Sequence, residues 1–177
     1  MSVRAKSIPK GFTLLELMIV LSLAAVLVSI AMPGYQTLMA RTQLSARANE
    51  LLASLHYTRS EAVKRGMRVT ICKSADGGSC VDTGDWQAGW LIFSDGGKAG
   101  TIDGGDQVLR VFTGLHGMTL KADNQFKNWI SFLPNGRSRG SGNLPNGSFY
   151  LCHAEQGRRI IINHSGRPRV DVAAFSC

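Results

Sequence analysis

Hydrophobic positions along this chain change their period twice. From Phe12 to Met32 they are nearly continuous, broken only by Thr13, Glu16, Ser22 and Ser29. As an α-helix this run rises about 1.5 Å per residue, or roughly 30 Å, the thickness of a bilayer core. Pro33 and Gly34 interrupt it, which need not end the helix. Leu44, Ala48, Leu51, Leu55 and Ala62 then recur at spacings of three and four, with Thr58 filling the gap, and predict an amphipathic helix. Arg41, Arg47, Glu50, Arg59, Glu61, Lys64 and Arg65 fall mostly off that stripe. Gly66 follows basic residues and suits a helix C-terminus.

From Met67 the period shortens toward two. Residues 68–72, 90–93, 108–112, 129–133, 148–152 and 159–162 read as strands. Gly/Asp/Asn turns separate them, including a long loop from Asp95 to Asp106. The fold class expected is α+β: a long N-terminal helix, its first half membrane-embedded, packed on a small antiparallel β-rich head. The segments are 12–32 for the membrane helix, 33–66 for its amphipathic continuation and 67–177 for the head. A chain of 177 residues with one membrane segment leaves room for one modest domain.

The start of the chain is the most specific feature. A short basic leader (Arg4, Lys6, Lys10) ends in Gly11, directly before the apolar run. An ordinary secretory signal has its apolar region before the cut; here the cut would leave that region on the mature protein. Glu16 is a carboxylate in the first turn of a membrane helix, which costs on the order of 2.5–3.5 kcal/mol on insertion scales and calls for a partner. A Glu snorkelling to the headgroups, or a signal cut at Ser29-Ile30-Ala31, does not account for Gly11, Phe12 and Glu16 together. Gly-Phe-Thr-Leu-Leu-Glu resembles the type III signal of type IV pilins and pseudopilins. That resemblance implies a leader of residues 1–11, cleavage after Gly11 by a prepilin peptidase, N-methylation of Phe12, and docking of Glu16 on another pilin subunit. It also implies a kink or local melt at Pro33, and a single-pass inner-membrane protein with a periplasmic head that later joins a surface pilus.

Four cysteines in an exported chain point to disulfides. Of three connectivities, Cys72–Cys80 and Cys152–Cys177 are favoured: the first closes a short loop and the second ties down the last residue. No Cys-x-x-Cys pair suggests zinc. The net charge is +8, and seven basic residues from Lys127 onward (Lys127, Arg137, Arg139, Arg158, Arg159, Arg167, Arg169) are opposed only by Glu155 and Asp171. The stretch from Asp76 to Asp123 is acidic on balance. A basic C-terminal third suits an anionic partner.

The helix ending Arg59-Ser60-Glu61-Ala62-Val63-Lys64-Arg65-Gly66, the Cys72/Cys80 loop, Trp86, Gly89-Trp90 and Gly166-Arg167-Pro168-Arg169 together resemble the FimT/GspH family of minor pilins and pseudopilins. The last motif is similar to the Gly-Arg-x-Arg motif of FimT-like pilins that bind DNA in natural transformation. By that resemblance Arg167 and Arg169 are the principal DNA contacts. In an extended backbone they point the same way, about 6.6 Å apart, and their forks suit phosphate oxygens. The bland alternative is a Ser165-Gly166 turn with solvated arginines. Gly136-Arg137-Ser138-Arg139-Gly140 repeats the spacing, so Arg137 and Arg139 are auxiliaries or the tip of a flexible hairpin. No aromatic residue interleaves the arginines, so phosphate contact without sequence preference is expected.

Enzyme-like patterns fail. Gly136-Arg137-Ser138-Arg139-Gly140 matches a hydrolase elbow, but no helix is expected after it. His56, His116, His153 and His164 lack metal-ligand spacing and read as surface or packing residues. Asp95, Asp103 and Asp106 lack an EF-hand pattern and read as solvated turn acids. Trp86, Trp90 and Trp129 read as core. The expectation is a non-enzyme without cofactor or metal, whose partners are other pilins, the prepilin peptidase, the inner membrane and DNA. The alternative is a structural minor pilin or secretion pseudopilin that primes assembly without binding DNA.

Overall fold

A computed structural model describes residues 11–171 and 175–177. Arg4, Lys6 and Lys10 of the expected leader lie outside the described residues. The chain divides into two compact units, Met1–Met39 and Ala40–Cys177.

Helix α1 covers Leu14–Arg65. Thr13 caps it, its Oγ1 accepting from the Glu16 amide at 3.2 Å. Of the kink or local melt expected at Pro33, the melt is not present: α1 stays helical through Pro33 and Gly34. Proline removes one backbone donor, a loss that the intact turns on either side absorb. Within the first unit the apolar side chains, Leu14 to Met39, are exposed. The helix is long and apolar enough there to cross a membrane.

The second unit holds two antiparallel sheets. The first has the order β3 (Val108–Thr113), β2 (Gly89–Ser94), β1 (Val69–Lys73), β5 (Trp129–Phe132), β6 (Ser138–Gly140). The second has β10 (Phe175–Ser176), β8 (Gln156–Ile162), β7 (Gly147–His153) and β4 (Thr119–Ala122), with β9 (Pro168–Val170) also paired to β8. The six strands expected from periodicity are β1, β2, β3, β5, β7 and β8. The additional four have two to four residues each, too few for a period to show.

Leu44, Ala48, Leu51, Leu55 and Ala62 of α1 are buried against Ile71, Trp90 and Ile92 of the first sheet and Leu120, Phe149, Leu151 and Ile160 of the second. Each such Leu contributes roughly 1.5–3 kcal/mol by leaving water. Trp90 Nε1 donates to Ser54 Oγ at 3.2 Å, and Trp86 Nε1 to the Phe126 carbonyl at 3.0 Å. The opposite face of β1 and β2 is buried too: Cys72, Leu91 and Phe93 pack with Trp129 of β5 and with Cys80 and Ile102 of the loops after β1 and β2. The long loops after β1 and β2 are therefore covers for that face.

Buried charges fasten these covers. Lys73 is 1% exposed, and its ammonium donates to the carbonyls of Gly84 at 2.8 Å and Asp82 at 3.2 Å. Asp95 is a correction to the sequence reading: it is not a solvated turn acid but 1% exposed, accepting from Thr70 Oγ1 and Arg68 Nη2 at 2.5 Å and from the Gly100 amide at 2.9 Å.

Cys72 is bonded to Cys80 and Cys152 to Cys177. The second cross-link spans 25 residues, for which loop-closure entropy gives about 3.5 kcal/mol. Replacing Cys152 and Cys177 by Ser is expected to lower the urea midpoint of the detergent-solubilised chain accordingly. An unchanged midpoint would show that the β10 pairing holds the terminus unaided.

Candidate functional site

The chain reverses after β8 in a turn closed by its own side chains. Asn163 Oδ1 accepts from the Arg167 amide and the Ser165 hydroxyl, both at 2.8 Å, while the Gly166 amide donates to the Asn163 carbonyl at 2.9 Å. Gly166 sits at φ +73°, a left-handed conformation natural to glycine. Strand β9 follows, with Arg169 opposite Ile161 and Pro168 opposite Ile162. Pro168 is buried, whereas Arg167 and Arg169 are exposed. Turn and extended arginine pair, posed as alternatives from the sequence, coexist: the turn makes the reversal and the strand alternation puts both arginines outward.

The loop before β6 is built alike. Asn135 Oδ1 accepts from the Arg137 amide at 3.0 Å, the Gly136 amide donates to the Leu133 carbonyl at 2.8 Å, and Gly136 has φ +76°. Arg137 and Arg139 are exposed and Ser138 between them is buried. Arg139 is opposite Ser131, so this segment is a paired strand rather than a flexible tip. Ser138 Oγ donates to the Pro145 carbonyl, and no helix follows it, which removes the hydrolase elbow.

These two segments touch. A Cβ placed on Gly166 would lie 2.4 Å from the Gly136 carbonyl oxygen and 2.9 Å from the Ser138 nitrogen. Both backbones approach as closely as they do because glycine stands there. Arg59 of α1 joins them, its Nε donating to the same Gly136 carbonyl at 2.9 Å. In the sequence Arg59 stands off the apolar stripe, in the helix end that resembles the FimT/GspH family, and nothing there points to Gly136. A groove of about 480 Å³ adjoins Arg167 and Arg169, with His56 on its helix side. A smaller one, about 210 Å³, adjoins Arg137 and Arg139. Neither has an acidic lining residue.

Among the described residues, no carboxylate lies within ion-pair distance of Arg59, Arg137, Arg139, Arg167 or Arg169. Arg139 is steadied by the neutral Asn143 side chain at 3.1 Å. Arg159 differs: Asp171 neutralises it, with Nε–Oδ2 at 3.1 Å. Desolvation, then the charges of Arg59 and Arg167, holds the His56 imidazole below its usual range. No group of three or more metal-ligating side chains occurs among the described residues. The site therefore offers exposed guanidiniums on pre-formed backbone, without a carboxylate partner among the described residues, suited to an extended anion.

Comparison with known proteins follows the same lines. The family model described as type II transport protein GspH matches residues 47–166, and the prokaryotic N-terminal methylation motif matches residues 8–32. The first match stops just before Arg167. The type IV major fimbrial protein FimA of Dichelobacter nodosus is 32% identical over 129 residues, covering 72% of this chain and 68% of that one. Crystal structures of the Pseudomonas aeruginosa type IV minor pilin FimU superpose with TM-scores of 0.53 and 0.56. Their identities are 26% and 27%, over 72% and 74% of this chain and 92% and 90% of theirs. A methylation-type N-terminus before an apolar helix, with a two-sheet head of this kind, places the chain in the GspH family of type IV minor pilins and pseudopilins.

Proposed function

We propose that this protein is a minor type IV pilin whose head binds DNA through its backbone phosphates, for uptake in natural transformation. The observation that carries the reading is the contact between Gly166 and the Gly136–Ser138 backbone. It brings together the backbone segments that carry Arg167, Arg169, Arg137 and Arg139, none of which has a carboxylate at ion-pair distance among the described residues. Clustered like charges cost stability, and among the described residues no carboxylate offsets them. In this reading Gly11–Phe12 is the cut made by prepilin peptidase, Phe12 is methylated, and Glu16 meets the terminal amine of a neighbouring subunit. The methylation motif over residues 8–32 supports that part.

Fluorescence anisotropy with the full chain in nonionic detergent tests the site. Contact with about four phosphates gives a slope of log K against log salt near −3.6. Arg167→Gln/Arg169→Gln is expected to reduce it to about −1.8, and Arg137→Gln/Arg139→Gln likewise. Salt-independent binding, or binding indifferent to both pairs, would end the proposal.

Gly166→Ala keeps every charge but forces the two segments apart. A loss of about 1–3 kcal/mol in stability is expected, together with weaker DNA binding in the protein that remains folded. Full binding would mean that the juxtaposition is unnecessary.

Glu16→Ala is expected to abolish incorporation into filaments, while the arginine pairs leave piliation intact and lower transformation. The similarity to a type II transport protein favours a second reading, a pseudopilin that primes assembly. Loss of piliation or secretion in the arginine variants would select it.

A further inference from the structure

The groove beside Arg167 has a wall that the arginine motifs do not explain. Leu52, His56 and Arg59 stand four and three residues apart on α1, so they form one ridge next to the buried stripe. Leu52 and His56 face Arg167 and Arg169 across the groove, whose apolar part comes from Leu52, Pro168 and Val170. Arg59, one turn on, is anchored to Gly136.

His56 is thus ringed by cations from separate elements. Arg59 lies on its own helix, Arg167 in the turn after β8, and Arg169 on β9. On its other side it shares a cavity with Tyr57 and Lys64. Neither cavity is lined by a carboxylate. An imidazole in that setting is harder to protonate than a free one, and a bound anion would offset that.

We propose that this groove seats a backbone phosphate of the DNA, that His56 is the ligand contributed by the helix, and that His56 takes up one proton from solvent as the phosphate binds. The proposal rests on the DNA-binding reading above. In the free protein, desolvation and then Arg59 and Arg167 hold the ring's titration below its ordinary range. A phosphodiester is anionic throughout this range. It offsets the two guanidinium charges and accepts a hydrogen bond from the imidazolium, so the ring titrates higher in the complex. Protons are therefore bound more strongly by the complex than by the free protein. Affinity rises as pH falls through the complex's titration and levels off below that of the free protein. A difference of one pH unit between the two corresponds to about tenfold in affinity.

The test uses the full chain in nonionic detergent and an oligonucleotide with hydroxyl ends and a pH-insensitive dye, at constant salt from pH 5 to 8. Wild type is expected to bind about tenfold tighter at pH 5 than at pH 8. His56→Gln should remain at the weaker level throughout, and His56→Lys should bind tightly throughout. His164→Gln, a control in the adjacent turn, should keep the pH dependence. The ring resonance of His56 in wild type should titrate higher with oligonucleotide than without. An unshifted ring, or full pH dependence in His56→Gln, overturns the proposal. Binding that ignores pH yet needs Arg167 and Arg169 overturns the role of His56 alone. No binding at any pH at low salt overturns the DNA reading with it.

Discussion

Burial of one stripe of α1 sets the rest of the head. Leu44, Ala48, Leu51, Leu55 and Ala62 are at most 1% exposed and contact both sheets. Once that stripe is seated, the rotation of the helix is fixed, because the side-chain period leaves no freedom to turn. The neighbouring ridge of Leu52, His56 and Arg59 must then face the edge where β9 and the loop before β6 lie. The cationic edge is thus a consequence of core packing as well as of local arginine motifs. A shift of the helix by one residue would move both ridge and stripe, so assembly of the edge and stability of the core are coupled.

The two Asn/Gly/Arg segments solve the same problem twice. Each presents two arginines on one side of an extended backbone, each tucks a small or imino residue inward between them, and each has a glycine at positive φ. Side-chain amides of Asn163 and Asn135 hold the turns. Pre-formed backbone of this kind lowers the ordering cost of binding. It does not lower the repulsion between the guanidiniums, which over such short distances lies within a Debye length at ordinary salt.

Much of this was legible in the sequence, because it depends on local period or on residue type. The membrane-length run, the stripe, six strands and the two arginine pairs are of that sort. What was not legible depends on distant segments meeting. Strands β6 and β9 are three residues long and exist because β5 and β8 offer them an edge. Arg59 and His56 look like ordinary surface positions until Gly136 and Arg167, more than seventy residues away in sequence, are brought beside them. The hydrophobic pattern of β1 was visible, but burial of Lys73 at its end was not, since it needs the carbonyls of the loop at Asp82 and Gly84.

The uneven charge along the chain acquires a structural meaning from the acids. Asp76 accepts from the amides of Gly78 and Ser79, and its carboxyl is held well below the ordinary range by those bonds, with the Ser79 and Ser74 hydroxyls contributing. Asp95, Asp103, Asp106 and Asp123 likewise accept from backbone amides in their own or adjoining loops. Asp171 is spent on Arg159. The five amide-bonded carboxylates therefore serve as braces for turns and covers, sites where a donor already waits. The arginines of the two glycine-rich segments receive none of them. A surface that merely needed solubility would gain from interspersing the two signs. With the acids of these loops bonded to backbone amides, the exposed guanidiniums of the two glycine-rich segments have no carboxylate at ion-pair distance among the described residues.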